Sequence, residues 1–175
     1  MKNKFKVGGY CFYRMHGVAR VEEIKTVDIM GEKFDCMILY INDNNMTISV
    51  PMSQVDEGYI REISTKDKME EVFGILMGGV KKMKGMWSRR AKEYEEKINS
   101  GDVISIAEVV SDLTRDVNEC DRSYSERVIY ECALERLTQE LAIVDGISPE
   151  KAKSKIIEAT ERKVVFKDIE DIERA

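Results

Sequence analysis

The hydrophobic period of this chain changes once, near residue 64, and that change divides it into two unlike parts. Before it, apolar residues fall in short alternating runs between turn signals, the pattern of half-buried strands. Val7 to Tyr13 is a predicted first strand. A turn at His16-Gly17 leads into a second, Val18 to Thr26. Met30-Gly31-Glu32-Lys33 is a loop signal, and Phe34 to Ile41 a third strand. Asn42-Asp43-Asn44-Asn45 is a strong turn. Met46 to Val50 alternates as a half-buried strand should, and Pro51 closes it. Tyr59 to Ile63 is a candidate fifth strand. Short strands this close together imply a small, strongly bent sheet or barrel of Tudor or SH3-like type. Its unpaired edges are ready sites for a partner's strand.

From Ser64 onward the spacing is helical. Ser64-Thr65-Lys66-Asp67 reads as a helix start with Ser64 in the capping place. Met69, Val72, Phe73, Leu76 and Met77 follow at helical intervals, and Gly78-Gly79 ends the run. A second helix is expected from Arg89, with Ser88 as N-cap, to about Asn99. A third runs from Asp102 to Glu119 on a buried stripe of Val103, Ile106, Val110, Leu113 and Val117. Ser123 and Glu126 form a capping box for a fourth, with Leu134, Leu137 and Leu141 on its core side. Gly146 stops it. Ser148-Pro149 starts a fifth, expected to end near Lys163. The fold class is therefore α+β. A Tudor/SH3-like β-barrel over residues 1–64 precedes an all-α bundle of about five helices over 65–165, with a frayed tail over 166–175.

Charge singles out one stretch of the second part. The net charge is -5, yet residues 81–92 carry Lys81, Lys82, Lys84, Arg89, Arg90 and Lys92 with no acidic residue, around the only Trp of the chain. Residues 1–63 carry 8 basic and 9 acidic side chains, and residues 98–175 carry 11 and 18. A local basic spot on an acidic body can bind phosphate while the body resists unspecific coating of nucleic acid. With Ser88 as N-cap, Trp87 precedes the helix. Its staple partner would be Lys92, so the local sequence offers the indole no apolar contact. Arg89 and Arg90 would then lie in a first helical turn, where the helix dipole disfavours cations unless an anion is bound. Free backbone N–H groups, two guanidinium groups and Lys92 make a phosphate cradle. A Trp beside it can stack on a base or wedge into a minor groove. The plainer reading has Trp87 packed in a core or between domains, which is common for Trp.

Other classes find less support. Cys11, Cys36, Cys120 and Cys132 form no C-x-x-C pair, and one His cannot complete a zinc set, so reduced structural thiols are expected. His16 has no nucleophile or carboxylate arrangement around it. Gly8-Gly9 and Gly78-Gly79 match no phosphate loop. The carboxylates of the C-terminal helices are expected mostly on solvent faces. No cofactor, metal or catalytic residue is expected, and an enzyme is not. The N-terminus lacks the apolar run of a signal peptide and no run approaches the ~20 apolar residues of a membrane span, so a cytoplasmic protein is expected. A ribosome- or RNA-associated barrel is the alternative binding module. It calls for basic strands, and residues 1–63 are slightly acidic.

Several blocks of the chain resemble the CarD/CdnL family of bacterial transcription regulators. They are Phe5-Lys6-Val7-Gly8, Tyr13 with His16-Gly17, Gly31-Glu32, Val50-Pro51, Trp87-Ser88-Arg89-Arg90 with Lys92, and Ser100-Gly101-Asp102-Val103 followed by Ala107-Glu108-Val109-Val110 and Asp112-Leu113. The resemblance covers roughly residues 4–162, and its first blocks are shared with the polymerase-binding module of transcription-repair coupling factors. It implies a Tudor-like module that binds the RNA polymerase β subunit through a sheet edge, and a monomeric chain whose helical domain reaches promoter DNA upstream of the melted -10 region. It further implies that Trp87 wedges into the minor groove at the upstream edge of the bubble, that Arg89, Arg90 and Lys92 hold phosphates, and that the open complex is stabilised; Lys84 and Lys82 of the same basic stretch are expected to contact DNA beside them. On the polymerase side the resemblance points to the positions of Val27, Ser49 and Val50, with Arg14 or Arg20 as a substitute charge. The family carries Arg where this chain has Val27 and Ser49, and Pro where it has Arg14.

Overall fold

The computed structural model describes residues 4–78, 83–114 and 123–173. Backbone contacts group the chain into two compact units, Met1–Ile63 and Ser64–Ala175.

The first unit is an antiparallel sheet of five strands: β1 (Tyr10–Tyr13), β2 (Gly17–Ile29), β3 (Glu32–Ile41), β4 (Met46–Pro51) and β5 (Ile60–Glu62). Their order is β4-β3-β2-β1-β5. A bulge between Val21 and Glu23 interrupts the β2–β3 ladder, and such an extra residue bends a strand and increases its twist. Turn chemistry sets the register. Met30 and Gly31 both have positive φ (55° and 85°), as a tight hairpin turn requires, and the Gly31 N–H donates to Asp28 Oδ1 at 2.9 Å. The core on one face of the sheet holds Cys11, Ala19, Val21, Met37, Leu39, Ile41, Val50 and Ile60. Burial pushes the Cys11 thiol up to about 12, so it is an inert apolar group, as expected. Cys36 is also buried and free, but Cys132 is free and exposed, and Cys120 lies outside the described residues.

Strand boundaries differ from expectation mainly at β2 and β3, which continue to Ile29 and from Glu32 into the hairpin tip. A two-residue turn lets the ladder close further than the sequence pattern suggests. The short helix α1 (Met52–Asp56) links β4 to β5 and packs Met52 and Val55 against the core. It is a single turn, too short to show a helical period in sequence.

The second unit contains α2 (Lys66–Gly78), α3 (Trp87–Asn99), α4 (Val103–Leu113), α5 (Tyr124–Asp145) and α6 (Pro149–Glu173). Helix α4 is central. It packs against α2, α3 and α5, and buries Val103, Ile106, Ala107, Val109, Val110, Ser111 and Leu113. The expected extension of this helix past Thr114, with Val117 in its stripe, lies outside the described residues. Leu134, Leu137 and Leu141 of α5 are buried as their spacing predicts. The caps follow local sequence: Asp102 Oδ2 accepts from Ser105 N, Ser123 Oγ from Glu126 N, and Gly146 ends α5 with φ of 62°.

Two expectations need correction, and a third has two exceptions. Helix α6 continues to Glu173 rather than stopping near Lys163 and fraying, because residues 163–173 contain no Gly or Pro to end it. The cap of α2 is Thr65, whose Oγ1 accepts from Lys68 N at 3.3 Å. Ser64 instead donates its backbone N–H (2.9 Å) and hydroxyl (2.7 Å) to Glu140 Oε1. Glu140 of α5 is fully buried, and Glu126 nearly so, so these two carboxylates of the C-terminal helices do not face solvent. A buried carboxylate requires donors, and Ser64 supplies two from far away in sequence. Glu140→Ala is expected to destabilise the protein by about 1–3 kcal/mol, the usual cost of stranding buried polar partners. Glu140→Gln, which keeps an acceptor oxygen, should cost less. Urea unfolding followed by circular dichroism measures both.

Candidate nucleic-acid interface

Gly85 has φ of 121°, a conformation that L side chains rarely adopt. It turns the backbone into α3 just ahead of Met86. Met86 is the N-cap, in an extended conformation with no side-chain capping bond, and the helical ladder opens with Arg90 N donating to Met86 O at 3.1 Å. Helix α3 therefore starts one residue before the expected N-cap. Ser88 is an exposed residue of the first turn and caps nothing, while Trp87 is the first helical residue.

Tertiary contacts explain that shift. The Trp87 Nε1–H donates to Ser125 Oγ at 2.9 Å, and the indole lies 6.3 Å from the Tyr94 ring at a 43° tilt. Arg90 packs beside both rings. Its guanidinium carbon is 5.4 Å from the Trp87 ring centroid and 6.0 Å from that of Tyr94. Trp87, Arg90 and Tyr94 are spaced i, i+3 and i+7, so helical geometry puts them on one face. The isolated indole expected from the missing staple does not occur, since its partners lie two turns along α3 and on α5. The plainer reading is half met: Trp87 is partly buried, within one unit.

Tyr94 is buried, and its hydroxyl donates to Asp112 Oδ2 on α4. The same carboxylate oxygen accepts from Met83 N at 3.3 Å, tying the segment before α3 to the helix behind it. Burial pushes the Tyr94 phenol up to about 12; the bond to Asp112 acts in the same direction, and Arg90 opposes it.

The remaining cations are arranged differently. Arg89 is an exposed side chain whose Nε contacts Glu93 Oε1 at 3.1 Å, one turn on. Such exposed pairs contribute little to stability and release the cation readily. Lys84 and Lys92 are exposed and have no ion-pair partner among the described residues. Lys81 and Lys82 lie outside the described residues. The first turn of α3 contains no acidic residue, and its leading backbone N–H groups have no partner within the helix. The surface around Trp87 thus combines orphan donors with exposed positive charge, suited to an anion.

In the first unit, Arg20 pairs in register with Tyr40, Ser49 with Ile38 and Val27 with Phe34. All three lie on the sheet face opposite Met37 and Leu39. Val27 and Ser49 stand at the levels of Phe34 and Ile38, roughly 13 Å apart along β3. Arg20 is exposed, 2.6 Å from Glu22 and over the Tyr40 ring. Ser49 is exposed on the edge strand β4 and Val27 partly buried. Val50 is corrected: it is 1% exposed, because strand alternation turns it into the core, so its side chain can meet no partner. The β2–β3 hairpin, which carries Val27, exposes Ile29, Met30 and Phe34. Sequence reasoning passed over them, although apolar residues at a turn were a visible signal. It also missed Tyr94, visible by its spacing from Trp87, and Ser125, for which no local signal exists. Among the described residues no three metal-ligating side chains cluster, and no helix is long and apolar enough to cross a membrane.

A bent five-stranded sheet followed by a helical unit that presents an aromatic among cations is the build of a two-part transcription regulator. Residues 5–64 match the CarD-like/TRCF RID domain and residues 71–157 match the CarD C-terminal domain. The chain belongs to the CarD/CdnL family. It is 29% identical over 150 residues to "Putative transcription factor YdeB" of Bacillus subtilis (strain 168), covering 86% of this chain and 98% of that one. These matches support a role in transcription regulation.

The raised Tyr94 pKa has a measurable sign. The phenol is neutral in the folded protein beyond the ordinary tyrosine value of about 10. Its contribution to stability is present below that pH and is lost as pH rises through about 12. Absorbance titration at about 295 nm is expected to show one tyrosine still protonated at about pH 11, when exposed tyrosines have ionised. Tyr94→Phe should abolish that late step.

Proposed function

We propose that this protein binds the RNA polymerase β subunit through its N-terminal sheet and stabilises the open promoter complex through the start of α3. In this reading Trp87 enters the minor groove at the upstream edge of the bubble, and Arg89, Lys92, Lys84 and Lys82 neutralise nearby backbone phosphates. The observation that carries it is Trp87 held on a rigid platform at an uncapped helix start among exposed cations. A wedge works only if the pressure of a base step does not rotate it away, and unstacking a step costs a few kcal/mol. An indole ordered before binding meets that demand without a further loss of side-chain entropy. In this reading shape rather than base identity is recognised, as for other apolar wedges in the minor groove. Choice of target then belongs to the polymerase, which raises the local concentration of a weak DNA contact.

The match of residues 5–64 to a CarD-like/TRCF RID domain supports a polymerase partner for the sheet. β4 is an edge strand with its outer backbone groups unpaired in the sheet, which suits addition of a partner strand. With Val27 and Ser49 in place of the family Arg residues, the face relies less on charge. Its binding to the β subunit should therefore vary little with salt.

Trp87→Ala is expected to shorten the lifetime of open complexes at a responsive promoter while leaving polymerase binding intact. A competitor-challenge decay assay measures the first and co-purification with the β subunit the second. An unchanged lifetime would remove the wedge from the mechanism, and recovery of ribosomal subunits instead of polymerase would favour an RNA-associated role. Arg89→Ala should weaken binding to fork-junction DNA regardless of sequence and reduce the salt slope by about 0.9, the value for one phosphate contact.

A further inference from the structure

Arg89 and Arg90 are adjacent and chemically identical, yet they occupy different surroundings. Arg89 is 78% exposed along its side chain. Arg90 is partly buried, and its Nε is out of contact with water with no hydrogen-bond partner in the described structure. A guanidinium plane gives up such a bond where stacking on aromatic faces compensates. Arg90 has two such faces, Trp87 and Tyr94, at cation–π range. Tyr94 in turn is fixed by its hydrogen bond to Asp112 on α4. The half-buried Asp112 carboxylate therefore anchors the phenol, and the Tyr94 ring and the Arg90 guanidinium both lie against the indole. The bond from Trp87 Nε1 to Ser125 holds the opposite edge of the ring.

We infer that Arg90 is a positioning residue that sets the orientation of Trp87 within the Trp87–Arg90–Tyr94 cluster, and that it does not neutralise a phosphate. The two arginines divide the work: Arg89 reaches the backbone of the nucleic acid, and Arg90 stiffens the aromatic that meets the bases. A guanidinium held against both rings, with its Nε withdrawn from water, cannot also extend to a phosphate without releasing them. This inference rests on the wedge reading for its consequence at the promoter, but the geometry of the cluster can be tested without DNA.

The test compares Arg90→Lys, Arg90→Met and Arg89→Met, each checked for native helicity and thermal unfolding. Trp87 is the only Trp, so its fluorescence reports one site. In the DNA-free protein, acrylamide quenching is expected to rise in both Arg90 variants and to stay at the parent level in Arg89→Met. On fork-junction DNA, Arg89→Met should lower the salt slope by about 0.9, and Arg90→Met should leave the slope unchanged. Open-complex lifetime should fall in Arg90→Lys toward that of Trp87→Ala, although the positive charge is kept. Parent-like quenching in Arg90→Lys, or a slope lowered by Arg90→Met as much as by Arg89→Met, would overturn the assignment. If Trp87→Ala itself leaves the lifetime unchanged, the wedge reading fails, while the quenching result still decides what Arg90 does.

Discussion

The hydrogen bond from the buried Tyr94 phenol to Asp112 is the contact on which the aromatic site depends. It joins α3 to the central helix α4, and the same carboxylate oxygen accepts the backbone N–H of Met83 just upstream of α3. One acceptor therefore fixes both the helix and the segment that enters it. Arg90 and Trp87 are stacked outward from that point. Without it, the aromatic would sit on a frayed first turn with no side-chain cap, in a place where the dipole already disfavours two arginines.

The two units solve different physical problems. The sheet buries a small core on one face and ends in unpaired edges, which natural sheets usually protect. Here the β4 edge is left available, and α1 fills the route from β4 to β5 instead of a further strand. The helical unit surrounds α4, whose face is buried along most of its length, and so forms a stiff base. An acidic body with local positive charge near Trp87 completes the division.

Much of this architecture was legible in local pattern. The alternation of Met46 to Val50 and the i, i+3, i+7 spacing of Val103, Ile106 and Val110 each report which face is buried, because period and burial are linked by backbone geometry. Caps were readable where a short polar side chain acts within three residues, as at Asp102 and Ser123. The reading failed where a tertiary partner outbid the local one. Ser64 was diverted from capping by Glu140, and Ser88 lost the cap when Trp87 joined the helix to reach Tyr94 and Ser125.

Residue types and spacing were thus sufficient to place a strand-built part before a helical one, to put Trp87 among cations at a helix start, and to supply the resemblance that the family matches bear out. Those features arise from interactions within a few residues, or from composition. The orientation of Trp87, the different fates of Arg89 and Arg90, the inward turn of Val50 and the burial of Glu140 arose only on folding. Each depends on a group distant in the chain, such as Ser125, Asp112, Met37 or Ser64. No local pattern encodes such a partner, because the packing of α4 against α3 and of β3 against β4 is what brings it within reach.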